Sequence, residues 1–234
     1  MSRETVRHNV ARVRERMAAA AGRAGRRVED ITLLGVSKTY PAEAIREAFA
    51  AGVRHFGENR VQEWEGKRGG TEDLAGYWHL IGHLQSNKAA RAAKAFDAVD
   101  SVDDFALAQR LDRARAEISD ERKLRVLIEV RVAAEETKSG VEKERLPELA
   151  EKLLMLERLD LAGLMCVPPF LENAEKVRPY FAELREMKEQ LEGRLGRTFP
   201  VVSMGMSHDF EVAIEEGATE VRIGTALFGV RETP

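Results

Sequence analysis

Lys38 follows a short apolar run, Ile31–Val36, and opens the segment Ser37–Tyr40. A lysine there sits at the rim of a low-polarity interior, where desolvation disfavours its ammonium form. A neutral amine is what condensation with an aldehyde requires. The same position also suits a rim lysine reaching into water, so the residue alone leaves both readings open. Two later stretches are suited to holding an anion. In Ser203–Asp209, Gly205 permits a tight turn and Ser207 is a good N-cap, so a helix opening there would aim free N–H groups at a ligand. In Arg222–Ala226, Gly224 lets the backbone approach a ligand closely and Thr225 adds a hydroxyl. Asn59, after Gly57 and Glu58, could cap a helix or touch a ligand.

Other reactive residue types read as structural. His79 and His83 are four apart, a zinc spacing on a helix, but on a strand they would lie about 13 Å apart. With no acidic third ligand at motif spacing, no metal site is expected. Cys166 precedes Val167-Pro168-Pro169 without a basic neighbour and reads as a small buried hydrophobe rather than a nucleophile.

The elements that must position these residues alternate along the chain. Val6, Val10, Val13 and Met17 form the apolar stripe of an N-terminal helix stopped by Gly22 and Gly25. Short apolar strands are expected at Ile31–Val36, Val53–Phe56, Tyr77–Ile81, Ala98–Ser101, Leu124–Val130, Leu159–Met165, Val201–Met204 and Glu220–Ile223. Helical segments fall between them. One has Pro41 in its first turn and ends at Gly52. Others begin near Glu58, run over Ser86–Phe96, Asp103–Ser119 and 145–157, carry Val177 to Leu191 inward, and span Ser207–Glu216. Eight βα units imply parallel strands with right-handed crossovers, hence a single (β/α)8 TIM barrel, of class α/β, with an extra N-terminal helix. An open doubly wound sheet is the alternative. Nothing in the composition marks a domain boundary, so residues 1–234 read as one domain.

In such a barrel, function sits on the loops after the strands, and loops seven and eight commonly hold phosphate. Closure places them next to loop one and its lysine. An amine beside two anion-holding loops suits a phosphorylated aldehyde, and pyridoxal phosphate fits that description.

Composition narrows the classes further. The 234 residues carry 37 Lys+Arg and 40 Asp+Glu, a net charge of −3, without the basic excess of a nucleic-acid footprint. No apolar run approaches the roughly 18 residues of a membrane span; two prolines break the longest, near Leu161–Leu171. The N-terminus lacks the apolar core of a signal peptide. It is Arg-rich, but Glu4 and Glu15 argue against a mitochondrial presequence. A single cysteine excludes an internal disulfide and points to a reducing compartment, here taken as the cytoplasm.

Several motifs together resemble one family. They are Val36–Thr39, Phe56–Glu63 (FGENRVQE), Trp78–Lys88 (WHLIGHLQSNK), Lys138–Gly140, Gly163–Met165, Ser203–Ser207 (SMGMS) and Val221–Gly229 (VRIGTALFG). In combination they resemble the pyridoxal phosphate homeostasis proteins, the YggS or PROSC family. The resemblance implies a barrel of the alanine-racemase type with pyridoxal 5'-phosphate as a Schiff base on Lys38. It implies that Ser207, Gly224 and Thr225 hold the phosphate, that Arg222 faces the pyridine nitrogen, and that Asn59 and Ser203 line the site. A fixed cation beside that nitrogen disfavours its protonation and weakens the ring as an electron sink. One departure stands out: Arg131 occupies a position where the family commonly has asparagine.

Two functions remain to be weighed. One is a monomeric cofactor carrier, not an enzyme, that buffers pyridoxal phosphate and passes it to apoenzymes that use it. The other is an amino-acid racemase or decarboxylase on the same barrel. Racemases of that type add a C-terminal domain carrying a second base, whereas only Gly224–Pro234 follows the eighth strand here. Among nearby residues, the rim histidines His79 and His83 are the candidates for such a base. The carrier is therefore the expected function. A cofactor-free Schiff-base aldolase would need a sugar phosphate for the same two loops.

Overall fold

The computed structural model describes residues 5–133 and 139–229. Eight parallel strands close into a barrel in sequence order: β1 (Thr32–Val36), β2 (His55–Glu58), β3 (Tyr77–Leu80), β4 (Ala98–Val102), β5 (Leu124–Glu129), β6 (Leu159–Met165), β7 (Val201–Met206) and β8 (Glu220–Ile223). Around them lie α1 (Val6–Arg23), α2 (Ala42–Ala50), α3 (Val61–Arg68), α4 (Ala89–Ala95), α5 (Phe105–Ala116), α6 (Leu146–Leu153), α7 (Arg178–Leu195), α8 (Phe210–Glu215) and the short α9 (Thr225–Phe228). This is the expected (β/α)8 barrel with its extra N-terminal helix.

The N-terminal helix completes the outer ring. Val10, Val13, Met17, Ala20 and Ala21 form its buried stripe, and it packs against α8, α9 and α2. It thus covers the seam between β8 and β1. Asn9, buried on the same face, donates to the carbonyl of Leu227 at 3.0 Å. Outward-facing strand residues, such as Phe56 and Trp78, meet the helices in one apolar layer.

Several expected boundaries shift. The second strand starts at His55 rather than Val53 and runs on through Gly57 and Glu58, residues that read as loop. Gly57 makes this possible: a Cβ there would stand 2.4 Å from Leu34 Cδ2 on the neighbouring strand β1. The helix expected near Glu58 accordingly begins at Val61. The seventh strand continues to Met206, with Gly205 at φ +90° inside it rather than in a turn after it. The register with β8 shifts between Ser203 and Met206, as a bulge does. The next helix therefore starts at Phe210, and Ser207 is not its N-cap; residue 209 holds that place.

The barrel interior is unusually polar. Arg125 on β5 donates to Glu220 on β8 at 2.8 Å, and His79 on β3 bonds Asp100 on β4 at 2.7 Å. Because β5 and β8 are not neighbours, their contact crosses the lumen. A small apolar cluster of Leu127, Ala162 and Met165, with Val201 against it, forms a separate patch.

Gly205→Ala tests the bulge. The added Cβ would stand 2.5 Å from the Ala213 Cβ and 2.9 Å from the Phe210 Cα, at a φ that disfavours L side chains. Denaturant unfolding should show a loss of about 2–4 kcal/mol. A loss within experimental error would mean that β7 does not take this path.

Candidate functional site

The loop that carries Lys38 is held on both sides. Ser37, buried at the end of β1, donates its hydroxyl to Glu58 Oε1 at 2.6 Å. Its carbonyl accepts from Lys67 Nζ at 2.9 Å. Lys67, on α3, also donates to both Glu58 oxygens at 3.0 Å and pairs with Glu63 at 2.9 Å. Glu63 in turn accepts the Thr39 backbone N–H. Thr39 has φ +67°, a conformation that costs a β-branched residue about 1–3 kcal/mol. Burial pushes the Glu58 carboxyl up, opposed by Ser37 and Lys67. Partial burial also works against Glu63, but its bonds to Lys67 and Thr39 hold it below the usual carboxylate range. Lys38 itself is half-buried between these fixed neighbours.

Closure of the barrel brings the last loops beside this one. Ser207 Oγ accepts the backbone N–H groups of Gly224 and Ala226, both at 3.2 Å. The hydroxyl expected to cap the helix after β7 instead gathers N–H groups of the loop after β8. Thr225 lies between those two donors and is exposed. Tyr40, just past Lys38, donates to the Gly229 carbonyl at 2.6 Å, and its ring packs against Phe228 with centroids 4.8 Å apart. The loops after β1, β7 and β8 therefore form one connected rim.

Below that rim Arg222 is buried and fixed. It donates to Ser203 Oγ at 2.8 Å and to the Cys166 carbonyl at 2.7 Å, which commits two of its five N–H donors. Cys166 contributes that carbonyl and not its sulfur; burial pushes the thiol up to about 12, consistent with an inert apolar residue.

Asn59 follows β2, the strand that neighbours β1. It lines a cavity of about 340 Å³ with Gly82, His83, Glu129, Arg131, Ser139 and their neighbours. No side-chain cap is formed by Asn59, since α3 starts after Arg60. Glu129 is buried, which raises its carboxyl, and it accepts from Ser139 Oγ at 3.1 Å. Arg131 donates to the Gly140 carbonyl at 3.3 Å. Lys138 lies outside the described residues.

One expectation about the histidines needs correction. His79 is not at the rim: it is wholly buried in the lumen, between Asp100 and His55, with 3.0 Å to the latter. Strand alternation puts it on the inward face of β3 with Tyr77. His83 is exposed at the mouth, 3.5 Å from Asp103, as is His208 in the loop after β7. His79, Asp100 and Glu220 bring ligand atoms within 4.8 Å of one another. Arg125, however, lies against both carboxylates, so a guanidinium already supplies the countercharge a dication would bring. Despite its burial, Asp100 is held below the usual carboxylate range by His79, Arg125 and Arg222.

The fold agrees with what known proteins show. Residues 1–232 match the family described as the alanine racemase N-terminal domain. The chain is 48% identical over 226 residues to a pyridoxal phosphate homeostasis protein of Aquifex aeolicus, covering 95% of this chain and 97% of that one. This chain belongs to the pyridoxal phosphate homeostasis protein family. Among solved structures, PipY of Synechococcus elongatus with pyridoxal phosphate bound is 40% identical, with a TM-score of 0.81 over 93% of this chain and 100% of that one. An alanine racemase of Clostridium difficile aligns with a TM-score of 0.74 at 16% identity, over 98% of this chain and 57% of that one. That likeness shows a shared barrel. No helix among the described residues is long and apolar enough to cross a membrane.

Sequence reasoning missed Glu58, Glu63 and Lys67 as a group, because Glu58 read as loop. Alternation along β2, with His55 and Gly57 inward, was the signal available. It also missed Arg125 and Glu220, two charges at inward strand positions.

His55 provides a pH test of the interior. Burial first, and then the charge of His79, lower it from 6.5 to about 4. An unfolded chain binds a proton there near pH 6.5, whereas the folded one does so only near 4. Stability should therefore be intact above 6.5 and fall as pH drops through that window. Unfolding curves of His55→Gln should lose less stability over the same window than those of the wild type; parallel curves would contradict this placement of His55.

Proposed function

We propose that this protein binds pyridoxal 5'-phosphate through Lys38 as a Schiff base and acts as a carrier and buffer of the cofactor rather than as an enzyme. The observation that carries the reading is the meeting of the β1, β7 and β8 loops at the barrel seam. It sets a half-buried lysine beside a hydroxyl and backbone N–H groups suited to phosphate.

The donor set fits the cofactor. Ser207, Gly224 and Thr225 would hold the phosphate, since N–H and O–H donors at the strand ends suit a dianion. Arg222, locked by Ser203 and the Cys166 carbonyl, would present a permanent cation to the pyridine nitrogen. Asn59 and Ser203 would line the ring's surroundings. When bound, the cofactor supplies an aldehyde and an electron sink. A guanidinium beside its nitrogen keeps that sink weak, which favours holding over turning over.

The barrel offers little for the chemistry of a racemase. Racemisation needs bases on opposite faces of the α-carbon. His79, bonded on both ring nitrogens inside the lumen, does not reach the mouth. His83 and His208 are the histidines exposed there, and His208 is turned towards the Leu171 and Glu172 carbonyls. Recipients of the cofactor would be apoenzymes that use it, met by a monomer in the cytoplasm. The lone cysteine suits that reducing compartment.

Mixing wild type with pyridoxal phosphate should give a yellow protein, and Lys38→Ala should stay colourless. An equally yellow variant would defeat the assignment. Ser207→Ala and Thr225→Ala should each weaken binding by about 1.5–3 kcal/mol, as for a lost hydrogen bond to a charged group. Pyridoxal without its phosphate should respond little to either change; equal losses for both ligands would place the phosphate elsewhere. Multiple-turnover conversion of L- to D-alanine, lost in His83→Ala, would make the protein an enzyme.

A further inference from the structure

Lys67 approaches the Lys38 loop from behind, out of α3. Its ammonium has three N–H donors, and three groups take them: the Ser37 carbonyl at 2.9 Å, the Glu58 carboxylate at 3.0 Å and Glu63 at 2.9 Å. The Lys67 side chain is 13% exposed and that of Glu58 is fully buried. These bonds reach Lys38 from both flanks. On one side, Ser37 is tied through its carbonyl to Lys67 and through its hydroxyl to Glu58. On the other, the Thr39 N–H is tied to Glu63, which is itself paired with Lys67. Thr39 holds a positive φ that an unsupported loop would relax.

We propose that Lys67 is a positioning residue that, through Glu58 and Glu63, fixes the direction in which Lys38 presents its amine and so sets how slowly the cofactor is released. The proposal rests on the reading of Lys38 given above. Its physical basis is that Lys38 has no room to redirect its backbone while both flanking residues are pinned to one ammonium. Freed of Glu63, Thr39 can leave the left-handed region. The Lys38 amine then samples directions that do not face the phosphate loops. Arginine is no equivalent at this position, because its planar fork cannot reproduce three tetrahedrally disposed bonds.

The experiment loads wild type, Lys67→Met, Glu63→Ala and Glu63→Gln with pyridoxal phosphate. It follows decay of the bound absorbance band after dilution into a phosphatase that destroys free cofactor. It also titrates that band with pH, a readout that a merely structural role would leave unmoved. Glu63→Ala should release cofactor on the order of tenfold faster, the effect of one lost charge-assisted bond, with a shifted titration. Glu63→Gln keeps an acceptor for the Thr39 N–H and should fall between that variant and the wild type. Lys67→Met should release fastest. If Lys67→Met does not fold around its buried Glu58, the two Glu63 variants carry the test, because Glu63 is partly exposed and Glu58 keeps Lys67 in them. Release and titration at wild-type values in Glu63→Ala would overturn the proposal. A bound band that persists in Lys38→Ala would instead sink the Lys38 reading, and this proposal with it.

Discussion

The pairing of β8 with β1 is the constraint on which the site depends. It runs from Thr32 opposite Glu220 to Gly35 opposite Ile223, and it turns the first and last strands of the sheet into neighbours. In an open sheet of the same strands, Lys38 and Gly224 could lie at opposite edges. Closure sets them on adjacent loops, and Tyr40 then ties the two loops directly through the Gly229 carbonyl. The N-terminal helix protects this seam from outside by packing on α8, α9 and α2. A segment that precedes the barrel in sequence thus supports the candidate site at its last strand.

The interior beneath the site is charged, and that has consequences of its own. Buried ion pairs add little net stability, but losing one partner leaves an uncompensated charge costing about 3–5 kcal/mol. Arg125, Asp100, Glu220, His79 and His55 are bound into one another, so each fixes the next. Arg222 stands next to Glu220 on the same inward face of β8, one layer nearer the mouth. The cation proposed to face the cofactor is therefore the top of a polar column, and its direction is set by Ser203 and the Cys166 carbonyl. An apolar lumen would give the same barrel with less definite placement of that guanidinium.

Most of the architecture was legible from the sequence, because buried parallel strands are short apolar runs between helical patterns. The failures share a physical cause. Where a residue's polarity is satisfied by a partner distant in sequence, local pattern misleads. Glu58 reads as loop because its partners, Ser37 and Lys67, are brought to it only by the fold. Ser207 reads as a helix cap because the N–H groups it accepts, those of Gly224 and Ala226, belong to another strand's loop. His79 reads as a rim residue because nothing local announces Asp100 or His55. Lys38 and Gly224 could be singled out as candidates because their positions relative to strand ends, and not their partners, mark them, whereas Arg222 was singled out through the family resemblance.

The central claim is that one lysine, at the end of β1, takes the cofactor. Reduction of the pyridoxal phosphate complex with borohydride, followed by mass analysis of its peptides, reads this directly. The account predicts a single reduced pyridoxyl adduct on the peptide that contains Lys38. An adduct on Lys67, Lys88 or Lys138, with the Lys38 peptide unmodified, would contradict it.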